Sequence, residues 1–216
     1  MEKRSFRRKL LDTILSQTTF TGSVLDVGGK KSGQRGHFRA PYEQVKSWKY
    51  LNISKESKPD ILASVYKMPV EDSIFDCVLL SEVLEHLEDP KAALKECNRV
   101  LKHQGSIKVA IPFLFPVHGD PDDYQRFTKS GLTKLLEKSG FTIDTIETMG
   151  GLFAVVHDLF LFSLNKILKQ RHPIVRRAIL RIFRFTRPAW EILDNTRMSR
   201  FPMVTTGYFL TARKQS

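Results

Sequence analysis

Short apolar runs alternate with amphipathic segments along the first 150 residues of the chain. Runs bounded by glycine, proline or polar clusters are typical of strands. They occur at 23–29, 48–53, 60–65, 75–83, 106–112 and 141–149. Apolar positions recur at helical spacing over 91–101, and a second helix is predicted from a cap at Thr128 or Ser130 to Ser139. This alternation predicts an α/β protein with a parallel sheet and helices on both of its faces.

The two ends of the chain carry different patterns. Residues 4–16 show the spacing of a short amphipathic helix. After Gly150-Gly151, two helical patterns at 152–169 and 173–187 precede a last strand-like run at 203–213, predicted to lie antiparallel beside 141–149. We therefore divide the chain into an N-terminal helix (1–19), a core (20–150), a basic helical insert or lid (151–202) and a closing strand (203–216).

The composition is that of a globular protein, but the charge is uneven. The 216 residues carry a formal charge of +12, and residues 151–216 contain twelve basic against three acidic side chains. Cys77 and Cys97 form no CxxC pair, which argues against a disulfide scaffold or a thiolate zinc site and favours a reducing cytoplasm. We expect neither a secretory signal nor a bilayer-spanning segment.

The turn after the first predicted strand is the first candidate for ligand binding. Asp26 ends an apolar run and Gly28-Gly29 follow it, so a carboxylate stands beside a backbone that a ligand can approach closely. The following residues, GGKKSGQRG, do not match the GxGxxG of dinucleotide folds. An acid before a glycine turn suits a cationic ligand better than a diphosphate.

Three stretches together resemble the class I S-adenosylmethionine-dependent methyltransferases of the small methyltransferase-domain type. They are VLDVGG at 24–29, the stretch from Met68 to Pro112 that contains SEVLEHLEDP, and FPVHGDPDDYQRF with the residues up to Phe141. The resemblance implies a three-layer Rossmann-like sandwich with a mostly parallel seven-stranded sheet, an antiparallel last strand and the basic helical insert before it. It also implies S-adenosylmethionine as cofactor.

The resemblance assigns the cofactor side residue by residue. It implies that Asp26, Gly28 and Gly29 line the methionine end and that Met68 lies near the adenine. Ser81 and Glu82 would close the pocket after the fourth strand. Two positions depart from the family pattern, because Asn52 and Ser64 stand where acids usually bind the ribose and the adenine. Asn52 can still accept one ribose hydrogen bond, and Lys30 and Lys31 would disfavour a sulfonium unless they point outward.

The loop at 116–127 is the densest polar cluster in the chain and is predicted to lie over the transferred methyl group. His118 is the candidate general base because imidazole titrates near neutrality. Asp120 or Asp123 would orient it. His86, Tyr124 and Arg126 are assigned to the acceptor.

Structural alternatives stay open for these residues. Asp123, Tyr124 and Arg126 could instead lock the loop to the sheet, and His86 could simply end a strand and begin a helix. The aspartates also suggest a hard-cation site. Their spacing matches neither an EF-hand nor a zinc motif, and we predict no metal.

The basic insert has three possible interpretations. Residues 159–187 interleave bulky apolar side chains with basic ones and contain no acid, a pattern typical of helices that lie in a membrane interface. Arg4, Arg7, Arg8 and Lys9 could join the same face. The insert could instead be a lid with a solvated basic face, or it could bind nucleic-acid phosphates, which we rank below an anionic membrane.

These observations predict a cytoplasmic methyltransferase, peripheral at the membrane, that O-methylates a small, lipid-linked or amphipathic acceptor. The alternative is a non-catalytic binding protein that kept the fold while its cofactor pocket decayed. A nicotinamide enzyme ranks third because the glycine fingerprint is missing. The oligomeric state is left open.

Overall fold

Seven strands form one sheet in the computed structural model of the chain, which describes residues 5–32, 36–119, 122–171, 173–195 and 204–215. The strands are β1 (Ser23–Val27), β2 (Ser47–Asn52), β3 (Ile61–Leu62), β4 (Phe75–Ser81), β5 (Leu101–Pro112), β6 (Phe141–Met149) and β7 (Gly207–Lys214). Their order in the sheet is β3-β2-β1-β4-β5-β7-β6. β7 is antiparallel to both neighbours, β5 and β6, and the other strand pairs are parallel. The predicted fold class is confirmed.

Five α-helices accompany the sheet in the described part of the chain. They are α1 (Phe6–Gln17), α2 (Pro90–Val100), α3 (Lys129–Glu137), α4 (Leu152–Arg171) and α5 (Pro173–Asp194). Asp89 caps α2 by accepting the Ala92 N–H at 2.9 Å, with Pro90 in the first turn where no N–H is needed. Of the two predicted caps of α3, Thr128 is the one used.

The strands bury both faces, so the sheet has two cores. One face packs against α2 and α3 through residues such as Leu25, Leu80 and Val109. The other face packs against α1 through the alternate positions, including Val24 and Leu79. Because successive strand side chains point to opposite faces, two-sided burial explains the near-continuous apolar runs of the sequence.

The first half of the fold departs from the predicted alternation of strands and helices. The connection from β1 to β2 contains no α-helix over 28–32 and 36–46, and β2 and β3 are joined by a 3-10 helix, Lys55–Ser57. β3 is two residues long, shorter than the predicted run at 60–65. Glycine, proline and charged residues interrupt any helical period in the first connection, so a coil borders the carboxyl end of β1.

The helical insert is fixed to the core by its few acidic side chains. Asp158 of α4 accepts the N–H groups of Phe6 and Arg7 at 2.7 and 2.9 Å, which holds the start of α1. Asp194 accepts the N–H groups of Gly151 and Ala154 at the start of α4. The three acids of the basic region are therefore anchors, since the third, Glu191, pairs with Lys9 at 2.6 Å.

α5 is longer than the sequence pattern predicts. It runs through Pro188 to Asp194, past the predicted end at residue 187. Trp190 packs against His157 and Phe153, with ring centroids 5.7 and 6.3 Å apart. These tertiary contacts hold the last turns, although proline normally breaks a helix interior. No helix of the described residues is both long and apolar enough to cross a bilayer.

We expect Asp158→Asn to destabilise the protein, because its amide group would present a donor to one of two buried N–H groups. The free energy of unfolding in urea should fall by about 1–3 kcal/mol. Asp144→Asn is the matched control, since Asp144 pairs with exposed Arg213 and such surface pairs contribute about 1 kcal/mol or less. Equal losses in the two variants would contradict the anchoring role of Asp158.

Candidate active site

A cleft opens at the carboxyl ends of β1 and β4, where the strand order reverses. Ligands of open α/β sheets bind at this position. The cleft encloses about 140 Å³. Its lining comes from α1 (Arg8, Asp12, Leu15), the β1 end (Asp26, Gly28, Gly29, Lys30), the coil after it (Phe38, Ala40), β2 (Tyr50) and the β4 end (Leu79, Ser81, Glu82). Five predicted cofactor residues, Asp26, Gly28, Gly29, Ser81 and Glu82, are brought together here.

The glycine turn forms the floor of the cleft. Gly28 has φ +77° and a side chain there would lie 2.6 Å from Val83 Cγ2. A Cβ on Gly29 would collide with the carboxyl group of Asp26. The turn therefore needs glycine at both positions, and it brings backbone and carboxylate to the same surface.

Asp26 is buried behind this turn. Burial raises the pKa of its carboxyl group to about 7, because ionised oxygens lose hydration when they are withdrawn from water. The group is therefore divided between its two protonation states at neutral pH, and a cationic ligand would favour the ionised state.

Asn52 holds the glycine turn instead of lining the cleft. Its Nδ2 donates to the carbonyl oxygens of Gly28 and Gly29 at 3.0 and 3.1 Å, and its Oδ1 accepts the Ser54 N–H at 2.9 Å. The ribose contact of Asn52 stays a prediction, and it would require the amide group to leave some of these partners. A carboxylate in this same orientation would face two carbonyl oxygens, whereas the amide group donates to both.

Two other predicted cofactor residues lie outside the cleft. Ser64 is exposed and its hydroxyl accepts the Tyr66 N–H at 3.3 Å. Met68 is 3% exposed and its side chain is part of the core beside α2. The aromatic lining of the cleft comes instead from Tyr50 and Phe38, which the sequence did not single out because neither belongs to a recognisable motif.

The lysines of the turn are arranged differently from one another. Lys31 pairs with Asp60, on the side of β2, and so its charge is neutralised. Lys30 lines the cleft. Only one of the two predicted obstacles to a sulfonium therefore faces the ligand space.

A buried ion pair closes the end of the cleft beyond β4. Arg7 of α1, 4% exposed, donates to both carboxylate oxygens of Glu82, with Nη1 2.5 Å from Oε1. Burial alone would raise the pKa of Glu82, but the charge and hydrogen bonds of Arg7 outweigh it and hold the pKa below its ordinary value. Sequence analysis missed this pair because it joins residues 75 positions apart.

The positions of the N-terminal basic residues correct the prediction that they form part of a membrane-facing surface. Arg7 is buried, and Arg8 lines the cleft, so these residues do not join a membrane-facing basic surface. Lys9 is paired with Glu191, and Arg4 lies outside the described residues. Among described residues, the helical wall of the cleft comes from α1, and the lid role of 151–202 stays a prediction.

The predicted acceptor loop, residues 116–127, contains a cluster of polar side chains around Asp123. Asp123 accepts the His118 N–H at 2.9 Å and pairs with Arg126 through both carboxylate oxygens. Arg126 therefore has the structural partner expected under the alternative in which it locks the loop. Tyr124 is half exposed and its hydroxyl donates to Glu88 at 3.0 Å. Asp120 lies outside the described residues.

His118 is a half-buried residue of the same loop. Its Nδ1 lies 3.1 Å from the Pro116 carbonyl oxygen and 3.5 Å from Asp123. Burial lowers the pKa of the imidazole, although the Pro116 and Asp123 oxygens act in the opposite direction. The ring is therefore neutral at pH 7, with Nε2 as the nitrogen that can accept a proton.

Glu85 is the residue beside His118 that sequence analysis left without a role. It is fully buried. Burial, and then the charge of Glu82, raise the pKa of its carboxyl group to about 8. The neighbouring His86 directs Nδ1 to the carbonyl oxygen of Asp122. This contact holds the acceptor loop against the 3-10 helix Leu84–His86.

Comparison with known proteins places this architecture in one class. Residues 42–109 match the family model described as a methyltransferase domain. An uncharacterized protein of Methanocaldococcus jannaschii is 30% identical over 159 residues, which cover 66% of this chain and 63% of that protein. The chain spans less than two thirds of the length of the curated relatives it matches.

Two solved structures share the fold. The [4+2]-cyclase SpnF superposes with a TM-score of 0.59 at 19% identity and covers 96% of this chain and 80% of its own. The phosphoethanolamine N-methyltransferase 2 of Haemonchus contortus, in complex with S-adenosyl-L-methionine, gives a TM-score of 0.56 at 15% identity, with 95% and 52% covered. The sheet and cleft define a class I methyltransferase fold. Residues 42–109 are thus similar to a methyltransferase domain, and the whole chain has the fold of the class I S-adenosylmethionine-dependent methyltransferases.

The raised pKa of Asp26 predicts a pH-dependent stability. The unfolded carboxyl group ionises near pH 4 and the folded one near 7. Folding therefore binds a proton between these values, and the contribution of Asp26 to stability falls as pH rises through this window. The unfolding free energy of Asp26→Asn, relative to wild type, should increase between pH 5 and 8 in urea titrations.

Asp76→Asn is the control with the opposite shift. The hydrogen bonds and charge of Lys102 outweigh burial and lower the pKa of Asp76, so its stabilising effect is complete above the unfolded value and lost only in acid. Its difference from wild type should stay constant between pH 5 and 8. If the difference in unfolding free energy from wild type changed equally with pH in the two variants, a raised pKa of Asp26 would be contradicted.

Proposed function

We propose that the chain binds S-adenosylmethionine in the cleft and transfers its methyl group to a small acceptor at the ends of β4 and β5. The observation that carries the proposal is the buried carboxylate of Asp26 against the Gly28-Gly29 turn, at the carboxyl end of β1. This arrangement offers a negative charge and accessible backbone to a cationic ligand.

The charges of the cleft support this cofactor. S-adenosylmethionine carries a sulfonium, an ammonium and a carboxylate group. The cleft lining contains the acids Asp26 and Glu82 and the bases Arg8 and Lys30. Because Arg7 already pairs with Glu82, we assign the cationic groups of the cofactor to Asp26 and its carboxylate to the basic side of the cleft. Tyr50 and Phe38 supply aromatic surface for a purine. The solved methyltransferase from Haemonchus contortus holds this cofactor in the same fold.

Two features predict that binding is weaker than in most of the family. The cleft, at about 140 Å³, is smaller than the roughly 300 Å³ at which cofactor-sized pockets begin. We therefore expect the rim formed by α1 and residues 36–40 to shift outward when the cofactor binds. Since Asn52 is occupied by the glycine turn, loss of a charge-assisted ribose contact should cost about 1 kcal/mol or more.

The cofactor supplies an already activated methyl group, so the protein has to align the acceptor and exclude water. For a hydroxyl acceptor, a base must also remove a proton. His118 Nε2 is the candidate, since its Nδ1 faces Pro116 and burial keeps the ring neutral. Asp123 positions His118 through its backbone N–H. On this basis we keep O-methylation as the proposed reaction.

Isothermal titration with S-adenosylmethionine and S-adenosylhomocysteine tests the proposal directly. We expect micromolar binding by the wild type and by Asp144→Ala, which alters an acid on β6 away from the cleft. Asp26→Ala should weaken S-adenosylmethionine more than S-adenosylhomocysteine, because only the former carries the sulfonium charge. The loss should be tenfold or more, about 1.4 kcal/mol.

Absence of binding up to millimolar concentration would contradict the proposal. It would favour the alternative of a binding protein whose cofactor pocket has decayed. Binding that Asp26→Ala leaves unchanged would show that the cofactor lies elsewhere.

We further propose that α5 places the protein on an anionic membrane and that the acceptor is lipid-linked or amphipathic. Ile182 and Phe185 on α5 are 60% and 88% exposed, and Ile174 and Ile192 continue the same stripe. Exposed apolar side chains at helical spacing, flanked by basic residues, support contact with an interface rather than with water. Arg177 and Arg181 are exposed beside the stripe.

Vesicle co-sedimentation tests membrane contact. The wild type should sediment with vesicles containing phosphatidylserine and much less with phosphatidylcholine alone. Arg177→Gln with Arg181→Gln should weaken vesicle binding roughly thirtyfold, at about 1 kcal/mol per charge. Ile182→Ser with Phe185→Ser should weaken it through the apolar contribution.

The matched control is Lys91→Gln with Lys95→Gln, which removes the same charge from exposed positions of α2 on the other side of the sheet. Equal weakening by the control, or wild type that stays in the supernatant, would contradict a membrane-facing α5. Retention of RNA or DNA in place of vesicles would favour the nucleic-acid alternative.

A further inference from the structure

A group of three potential metal ligands lies beyond the adjacent ends of β4 and β5. Glu85 and His86 belong to the 3-10 helix after β4, and His118 stands on the loop after β5. One ligand atom of each lies within 4.8 Å of those of the other two. The imidazole rings meet edge to face with centroids 5.4 Å apart. Parallel neighbouring strands bring these residues together although 32 positions separate His86 from His118.

Both histidines have one nitrogen fixed by a backbone carbonyl. His86 Nδ1 faces the carbonyl oxygen of Asp122, and His118 Nδ1 faces that of Pro116 at 3.1 Å. A carbonyl oxygen only accepts, so each Nδ1 carries the proton and each Nε2 keeps its lone pair. His86 Nε2 lies 3.7 Å from Glu85 Oε1. Metal-binding histidines are oriented in this way, by donating their other N–H to a carbonyl or carboxylate.

Glu85 is the independent observation that points to a ligand. Its side chain is 0% exposed and neither carboxylate oxygen has a hydrogen-bond partner. Burial disfavours the ionised form of this group, and a bound cation would supply the missing partner. The two nearby guanidinium groups act on it only through their charge, because Arg7 is hydrogen-bonded to Glu82 and Arg126 to Asp123.

We propose that Glu85, His86 and His118 bind one divalent transition-metal ion of the zinc class. Two imidazole nitrogens and one carboxylate oxygen form the three-ligand set of zinc sites that keep one position open. Magnesium and calcium prefer oxygen ligands, so this set selects against them. The carboxylate loses its isolation when it binds the cation, and small side-chain shifts bring the three atoms to one ion.

The proposed site goes beyond the proposed methyl transfer and does not depend on cofactor binding. It replaces the sequence-based prediction of no metal. It also changes the role of His118, since an Nε2 that binds a metal ion cannot take a proton. The ion would lie between the end of β4 and the loop after β5, the region assigned to the acceptor, and a free coordination position would take a hydroxyl, carboxylate or phosphate oxygen of that molecule.

The test uses the chelator-treated full chain without a histidine tag. Titration with ZnCl₂ should show one ion per chain with micromolar or tighter affinity, and MgCl₂ should give no signal. Glu85→Gln, His86→Asn and His118→Asn should each weaken Zn²⁺ binding at least tenfold. His103→Asn, at an exposed histidine of β5, should leave it unchanged.

CoCl₂ added to the wild type gives a readout that does not depend on the variants. Visible absorption bands of low-symmetry Co²⁺ should appear and disappear when Zn²⁺ is added. Variants whose circular dichroism shows misfolding are set aside, and the Co²⁺ spectrum then decides. Absence of stoichiometric Zn²⁺ binding, or binding that survives all three substitutions, would overturn the proposal in favour of a proton or a water molecule held by Glu85. S-adenosylmethionine titration of the same samples separates this failure from a failure of the proposed function.

Discussion

The buried ion pair of Arg7 and Glu82 organises the functional edge of the sheet. Two charges withdrawn from water are costly, and removing either one would leave the other uncompensated. The pair therefore fixes α1 over the carboxyl ends of the strands. Glu82 in turn borders the cleft on one side and acts on the carboxyl group of Glu85 on the other. The cofactor side and the acceptor side of the proposed site share this one contact.

Local pattern was enough to predict the sheet, since two-sided burial leaves a nearly continuous apolar run in β1 and β4 and a solvent-exposed face leaves an alternating run in β6. The same reasoning found Asp26 and the glycine turn, because both depend on residues that are neighbours in the chain. Helix ends were less predictable. The last turns of α5 depend on Trp190 and Asp194, whose partners lie on α4, and no local rule anticipates a helix that continues through Pro188.

Side-chain partners across the fold could not be predicted in this way. Asn52 was expected at a ribose because the family has an acid there, but two carbonyl oxygens of the glycine turn decide its orientation. Arg7 was taken for part of a surface because its neighbours in sequence are basic. Glu85 had no assigned role, since its isolation becomes visible only when the sheet order brings His118 beside it.

α1 contacts both walls of the cleft and the insert. Asp12 accepts the His37 N–H at 2.9 Å in the coil after β1, Arg7 binds Glu82, and the first N–H groups bind Asp158. α1 therefore links the coil that borders the cleft to the ion pair beside Glu85 and His118. Binding free energies are reciprocal. If occupancy of the cleft shifts α1 and so changes binding at the acceptor loop, occupancy of that loop changes the affinity of the cleft by the same factor.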